Sequence, residues 1–284
     1  MLEVSASRRG FVASGTLGLL ASGLLPGSVA VGLERNETKI PFRIALASYT
    51  LRAFPLTEAL AMTQRVGLKH ICLKSFHLPL EASPEEIARV RREVADAGID
   101  LYAGGVINMA NEDEVNHAFT YAAAAGMRVI VASPDPALLP LLDRRIRETG
   151  IAVAIHNHGP GDKKFPTPES VYERVQPFDK RLGLCMDIGH TVRIGANPIA
   201  DAERFADRLI DVHLKDVDQA APAGKCVEAG RGVIDVPGFI RKLIEIRFSG
   251  MAAFEFEKDQ NDPLPGLAET VGYVNGVVDT LVSR

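Results

Sequence analysis

The chain has 284 residues, 46% hydrophobic and 24% charged, the balance of a globular protein with ample core. A formal net charge of −4, 6% aromatics and no tryptophan argue against nucleic-acid binding, which needs a basic stripe and stacking surfaces. Three cysteines (Cys72, Cys185, Cys226), odd in number and without CxxC spacing, argue against a disulfide framework.

The N-terminus carries Ser7-Arg8-Arg9-Gly10-Phe11-Val12, then an apolar, Gly/Ser/Ala-rich stretch from Val12 to Leu25, then small residues at Ser28-Val29-Ala30. This resembles a twin-arginine export signal, with an apolar run too short for a membrane span. The expected layout is a signal peptide over residues 1–30, a linker over 31–41 and a catalytic domain over 42–284. It implies passage through an export machinery to the periplasm or exterior. No cysteine stands directly after the signal, so no stable membrane anchor is expected. What remains after Ala30 has the size of one (β/α)8 barrel, typically ~250 residues.

Beyond the linker, strand-like and helix-like segments alternate eight times without a domain break. The predicted strands are Phe42–Ser48, His70–Lys74, Ile99–Gly105, Arg128–Ala132, Ile151–His156, Leu182–Asp187, Leu209–Leu214 and Met251–Phe256. Helical periodicity covers Leu56–Val66, Pro84–Ala97, Glu112–Ala125, Leu138–Thr149, Pro168–Val175, Pro198–Ala206, Val236–Ile246 and Leu267–Leu281. Several helices start on Pro or acidic residues, and glycines follow several exits. Such alternation predicts a single α/β domain, a (β/α)8 TIM barrel. An open doubly wound sheet is the runner-up, but no GxGxxG follows the first strand.

Barrel enzymes hold their chemistry at the carboxyl ends of strands. Alternation there turns Cys72 and Lys74, Ala154 and His156, Cys185 and Asp187, Asp211 and His213, and Ala253 and Glu255 inward. A lone inward histidine is more often a hydrogen-bonded core residue, and Asp187 before Gly189 also reads as a turn cap. Taken together, His156, Asp187, His213 and Glu255 form a mixed N/O set for one divalent ion: Mn, Zn, Co or Fe.

Leu184-Cys185-Met186-Asp187-Ile188-Gly189-His190, Val212-His213-Leu214-Lys215-Asp216 and Phe254-Glu255-Phe256-Glu257 resemble the last strands of the sugar phosphate isomerase/epimerase family, the xylose-isomerase-like barrels. Gly232-Val233-Ile234-Asp235 resembles that family's turn into the seventh helix. The resemblance implies a divalent cation on Asp187, His213 and Glu255, and substrate contact by His190. Two positions depart from it. The family usually has Glu where this chain has His156, and often Glu where it has Lys74. A symmetric two-glutamate epimerisation is therefore not expected.

The remaining candidates are Lys74 and Glu257 as bases beside Glu255 and His190, and His158, His190, Lys215 and Arg231 as substrate contacts. Each has a plainer alternative: Lys74 an ion-pair partner, Lys215 and Asp216 a solvated rim pair, Arg231 a surface charge. His77 is a weaker candidate at the same mouth. The expected activity is metal-dependent isomerisation or epimerisation of a small keto-sugar through an enediolate. A lyase or hydratase of 3-keto-glycosides and a non-catalytic sugar-binding barrel are the alternatives. A homo-oligomer accords with barrels of this kind, although no interface is legible.

Overall fold

The computed structural model describes residues 40–283. The expected signal segment and nearly all of the linker lie outside the described residues.

The barrel strands are β1 (Arg43–Ala47), β2 (His70–Leu73), β3 (Asp100–Met109), β4 (Val129–Pro134), β5 (Ala152–His156), β6 (Leu182–Asp187) and β7 (Leu209–Leu214). A small antiparallel ribbon follows, β8 (Asp216–Val217) with β9 (Cys226–Val227), before the eighth barrel strand, β10 (Met251–Phe254). Each barrel strand pairs in parallel with its neighbours in sequence, and β1 pairs with β10. The sheet therefore closes, which excludes the open doubly wound alternative. No helix among the described residues is long and apolar enough to cross a membrane.

The pleat sorts residues as the alternation predicts. Ile71, Leu73, Val153, Ile155, Val212 and Phe254 are buried in the layer between strands and helices. Ala45, Cys72, Ala154, Cys185 and Ala253 form a separate inner cluster with Tyr102. Full burial of each large outer side chain contributes about 1.5–3 kcal/mol. The inner residues are small, which leaves room above them for polar groups.

The outer layer is α1 (Leu56–Arg65), α2 (Pro84–Asp96), α3 (Glu112–Ala125), α4 (Leu139–Thr149), α5 (Pro168–Val175), α6 (Ile188–Arg193), α7 (Pro198–Arg204), α8 (Val236–Glu245) and α9 (Leu264–Val282). Ser83, Asn111, Thr167 and Asn197 cap α2, α3, α5 and α7 by accepting from backbone N–H groups of the first turn. Gly150 ends α4 at φ 78°, where a side chain would be strained.

The structure corrects some bounds. β3 runs past Gly105 to Met109, because after an irregularity between Gly104 and Ile107 it resumes pairing with β4. α9 starts three residues early, with Pro265 in its first turn, where a missing N–H costs little. Strands two and eight stop short, so Lys74 and Glu255 stand just past their last paired residues. Neither α6 nor the β8–β9 ribbon is anticipated by the periodicity.

Candidate active site

β5, β6, β7 and β10 are consecutive around the barrel. Their register sets His156 beside Cys185, Asp187 beside His213, and His213 beside Ala253, just below Glu255. One potential ligand atom from each of His156, Asp187, His213 and Glu255 lies within 4.8 Å of all the others. His156 Nε2 is 3.0 Å from His213 Nδ1 and 3.4 Å from Asp187 Oδ2, and His213 Nδ1 is 3.2 Å from Glu255 Oε2. Donors about 2.1 Å from one four-coordinate ion lie about 3.4 Å apart, so these spacings suit a common cation. Asp187 Oδ2, fully buried, faces both imidazoles and has Lys215 Nζ 2.9 Å away. Imidazole nitrogens and carboxylate oxygens converging on one point are the donors a divalent transition ion takes. The donor set fits a divalent ion.

The electrostatics agree. Burial pulls His156 well below the ordinary imidazole value, which keeps it neutral and able to donate a lone pair. Burial alone would raise Asp187, but Lys215, His190 and His156 hold it well below the carboxylate range. Burial opposes ionisation of Glu255 too, and His213, Lys215 and Lys74 outweigh it. Burial also works against a charged His213, but Glu255, Asp211 and Asp187 raise it.

Asp187 divides its two oxygens. Oδ1 accepts from the His190 N–H at 2.8 Å, capping α6, while Oδ2 faces the imidazoles. The cap reading and the ligand reading of this residue are therefore compatible. Asn157, which the sequence does not single out, fixes the strand end. Its Oδ1 accepts from the Asp187 N–H at 3.0 Å and its Nδ2 donates to Thr191 Oγ1 at 3.2 Å.

Lys215 is the main correction. It is buried inside the barrel rather than solvated at the rim. Its Nζ donates to Glu255 Oε2 at 2.8 Å, lies 2.9 Å from Asp187 Oδ2 and also donates to Glu257. Its stem crosses Gly189, where a Cβ would come within 2.5 Å of Lys215 Cδ. That close approach accounts for glycine in Asp187-Ile188-Gly189-His190. Asp216 is no rim partner either. It is buried, and its carboxylate accepts from the N–H groups of Val217, Gly230, Gly232 and Ile234.

Above the cluster opens a cleft of about 320 Å³. His156 and Glu255 reach its floor, His158 and His190 line the arc of β5 and β6, and Tyr49, Lys74 and Glu257 line the arc of β1, β2 and β10. Lys74 Nζ lies 3.4 Å from Glu255 Oε1 and 5.1 Å from the centre of the Tyr49 ring. His158 Nδ1 sits 3.3 Å from Asp162, and its ring centre is 4.4 Å from that of His156. Burial lowers both His158 and His190, so both are neutral at pH 7. Glu257 is anchored through its backbone, its N–H donating to Cys226 Sγ and its carbonyl accepting from Arg52.

Two candidates lie elsewhere. Arg231 is exposed, pairs with Glu269 at 2.8 Å and does not line the cleft. His77 Nε2 lies 3.0 Å from the Phe54 carbonyl. Tyr49 and Asn157 were not legible as site residues. Tyr49 sits in a single 3-10 turn after β1, and Asn157 lies between two more conspicuous histidines.

The chain is similar to known proteins. The matched stretch of a rhizopine catabolism protein, MocC, of Rhizobium meliloti is 28% identical over 149 residues, 47% of this chain and 45% of that protein. An inosose dehydratase of Lacticaseibacillus casei is 26% identical over 137 residues, 43% of this chain and 45% of that one. The chain thus matches less than half the length of either relative. In three dimensions, 3-keto-D-glucoside 4-epimerase from E. coli superposes with a TM-score of 0.67 at 14% identity, covering 83% of this chain and 99% of that one. The family model of the xylose isomerase-like TIM barrel matches residues 60–275, from α1 into α9 and across every strand that supplies His156, Asp187, His213 and Glu255. The chain belongs to the xylose isomerase-like TIM barrel family.

Proposed function

We propose that this protein is a divalent-metal-dependent enzyme that moves a proton on a keto-sugar, at the carbon beside the carbonyl. The observation that carries this reading is the buried His156, Asp187, His213 and Glu255 set beneath a cleft walled by proton-carrying groups. A divalent ion on these four residues would polarise a carbonyl oxygen and an adjacent hydroxyl and so stabilise the enediolate.

The chain's own groups then divide the work. His156 and Glu255 are committed as donors, and a ligating nitrogen is not free to take a proton. His190, held neutral by burial and lining the cleft, is suited to accept the proton from carbon. Lys74, on the other arc, offers an ammonium to the substrate oxygen or to the reprotonating step. His158 is oriented by Asp162 to meet a hydroxyl, and Glu257 serves as a further base beside Lys215. Reprotonation at carbon completes an isomerisation or epimerisation.

A second reading is favoured by one observation. His156 replaces a carboxylate, so no second glutamate stands across the cluster from Glu255. Proton removal by His190 with protonation of a departing hydroxyl by Lys74 would then give a lyase. The dehydratase among the similar proteins is consistent with it.

The test uses protein loaded with Mn²⁺ or Co²⁺, mixed with ketoses and 3-keto-glycosides in D₂O. Deuterium beside the carbonyl without loss of hydroxyl supports isomerisation, and loss of hydroxyl supports the lyase. Sugar binding with neither leaves a non-catalytic barrel and sinks the enzyme reading. His190→Gln should slow exchange by about 10²-fold or more. We also propose export through the Arg8-Arg9 signal, a reading of sequence alone. Replacing both arginines by lysine should leave unprocessed protein in the cytoplasm, and unchanged processing would refute it.

A further inference from the structure

The proposed metal centre draws on four side chains, and a fifth group in the same cluster has no part in it. Lys215 Nζ contacts Asp187 Oδ2 and Glu255 Oε2, the two oxygens that also face His156 and His213. The outer oxygens are engaged elsewhere, Asp187 Oδ1 by the His190 N–H and Glu255 Oε1 by Lys74. The ammonium and a divalent ion thus address the same pair of oxygens. Sharing them would bring three positive charges within a few ångströms in a buried site, where charges are poorly screened.

The lysine has somewhere to go. Glu257 already accepts from it, is partly open to the cleft, and is held by Cys226 and Arg52 independently of the metal-ligand set. The bare backbone of Gly189 leaves a track along which the lysine stem lies.

We infer that Lys215 competes with the metal ion for Asp187 and Glu255, holding their inner oxygens until an ion displaces it onto Glu257. The inference rests on the metal-centre reading and adds a residue that weakens, rather than supports, ion binding. It gives the site a threshold: an ion must outbid an ammonium, which favours cations that bind imidazole well over those that prefer oxygen alone.

The experiment titrates the metal-stripped protein with Co²⁺, followed by its visible absorption, and with Mn²⁺, followed by calorimetry. Lys215→Met should bind Co²⁺ at least tenfold more tightly than wild type, the reverse of what damage to the site would do. Glu257→Gln should weaken Co²⁺ binding several-fold in the wild-type background and leave it unchanged in Lys215→Met. Equal or weaker binding by Lys215→Met overturns the inference, as does an equal loss from Glu257→Gln in both backgrounds, which would be simple electrostatics. If Lys215→Met does not fold, Lys215→Gln is read by the same criterion. Unweakened Co²⁺ binding by Glu257→Gln alone also overturns the inference. Absence of Co²⁺ and Mn²⁺ binding in wild type and variants alike removes the metal centre itself, a result distinct from failure of the lysine's role.

Discussion

Asp187→Asn changes one charge and almost no shape. Asparagine caps helices as well as aspartate does, so the bond from the His190 N–H to Oδ1 is expected to survive. What disappears is a negative charge 2.9 Å from Lys215 Nζ, in a fully buried pair. Deleting one member of such a pair costs about 3–5 kcal/mol. Lys215 keeps Glu255 and Glu257, which puts the cost near the lower bound, about 3 kcal/mol. At about 2–4 °C per kcal/mol for a domain of this size, the metal-free protein should melt about 6–12 °C lower. Added metal should widen the gap. An ion at 100 times its Kd stabilises the wild type by about 2.7 kcal/mol, and the variant should gain little of this. The assay is thermal unfolding in chelator and in excess Mn²⁺, with Asp187→Ala alongside. Alanine also removes the cap and should cost about 1 kcal/mol more. Melting of Asp187→Asn level with wild type under both conditions would refute both the buried pair and the ligand role.

Further expectations concern residues around the cluster. Burial raises Asp211 to about 6. Unfolded, it titrates near ~3.9, so from pH ~4 to ~6 the folded state holds more protons and stability falls as pH rises. Asp211→Asn should therefore be more stable than wild type by up to about 3 kcal/mol at pH 7.5 in chelator, and equal to it at pH 4. Urea midpoints at the two pH values check this, and a variant weaker at pH 7.5 would contradict it. His156→Ala should strip bound metal, read by elemental analysis of protein purified beside wild type. Retained metal would free His156 to act as a base and remove the observation that favours the lyase. Arg231→Ala should leave kcat/KM within about twofold of wild type, because an exposed pair with Glu269 is worth about 0–1 kcal/mol. A tenfold loss would return Arg231 to the cleft.

The barrel and the gathering of His156, Asp187, His213 and Glu255 at one point were legible because they follow short-range rules. Period-two alternation ending in a polar residue placed Asp187 and His213 on the inner face, and the register of β6 with β7 sets them side by side. The same rule turned Lys215 inward but could not tell its depth. That depends on Gly189 leaving a path for the stem, a contact between separate elements. Arg231 failed for a related reason. Its flanking glycines suggested a loop reaching over the mouth, whereas its guanidinium finds Glu269 on α9. Asn157 was hidden because its work is done on the backbone of a neighbouring strand, which leaves no periodic trace. β3 outran its expected end because Gly104-Gly105 reads as a stop, while pairing with β4 resumes two residues later.

Asp216 draws four backbone amides onto one carboxylate, and with the β8–β9 ribbon it knots the neck of the excursion between β7 and α8. Residues 218–225 extend beyond that knot, closed at their base by the Asp218 N–H donating to the Lys225 carbonyl and the Lys225 N–H donating to Asp218 Oδ1. Chain can be added there at little cost, since doubling a flexible loop costs only about 0.6 kcal/mol in closure entropy. Residues inserted at the tip should therefore leave the neck, and the cleft beneath it, in register. One buried carboxylate thus ties the neck of this loop to the strand end that carries Lys215.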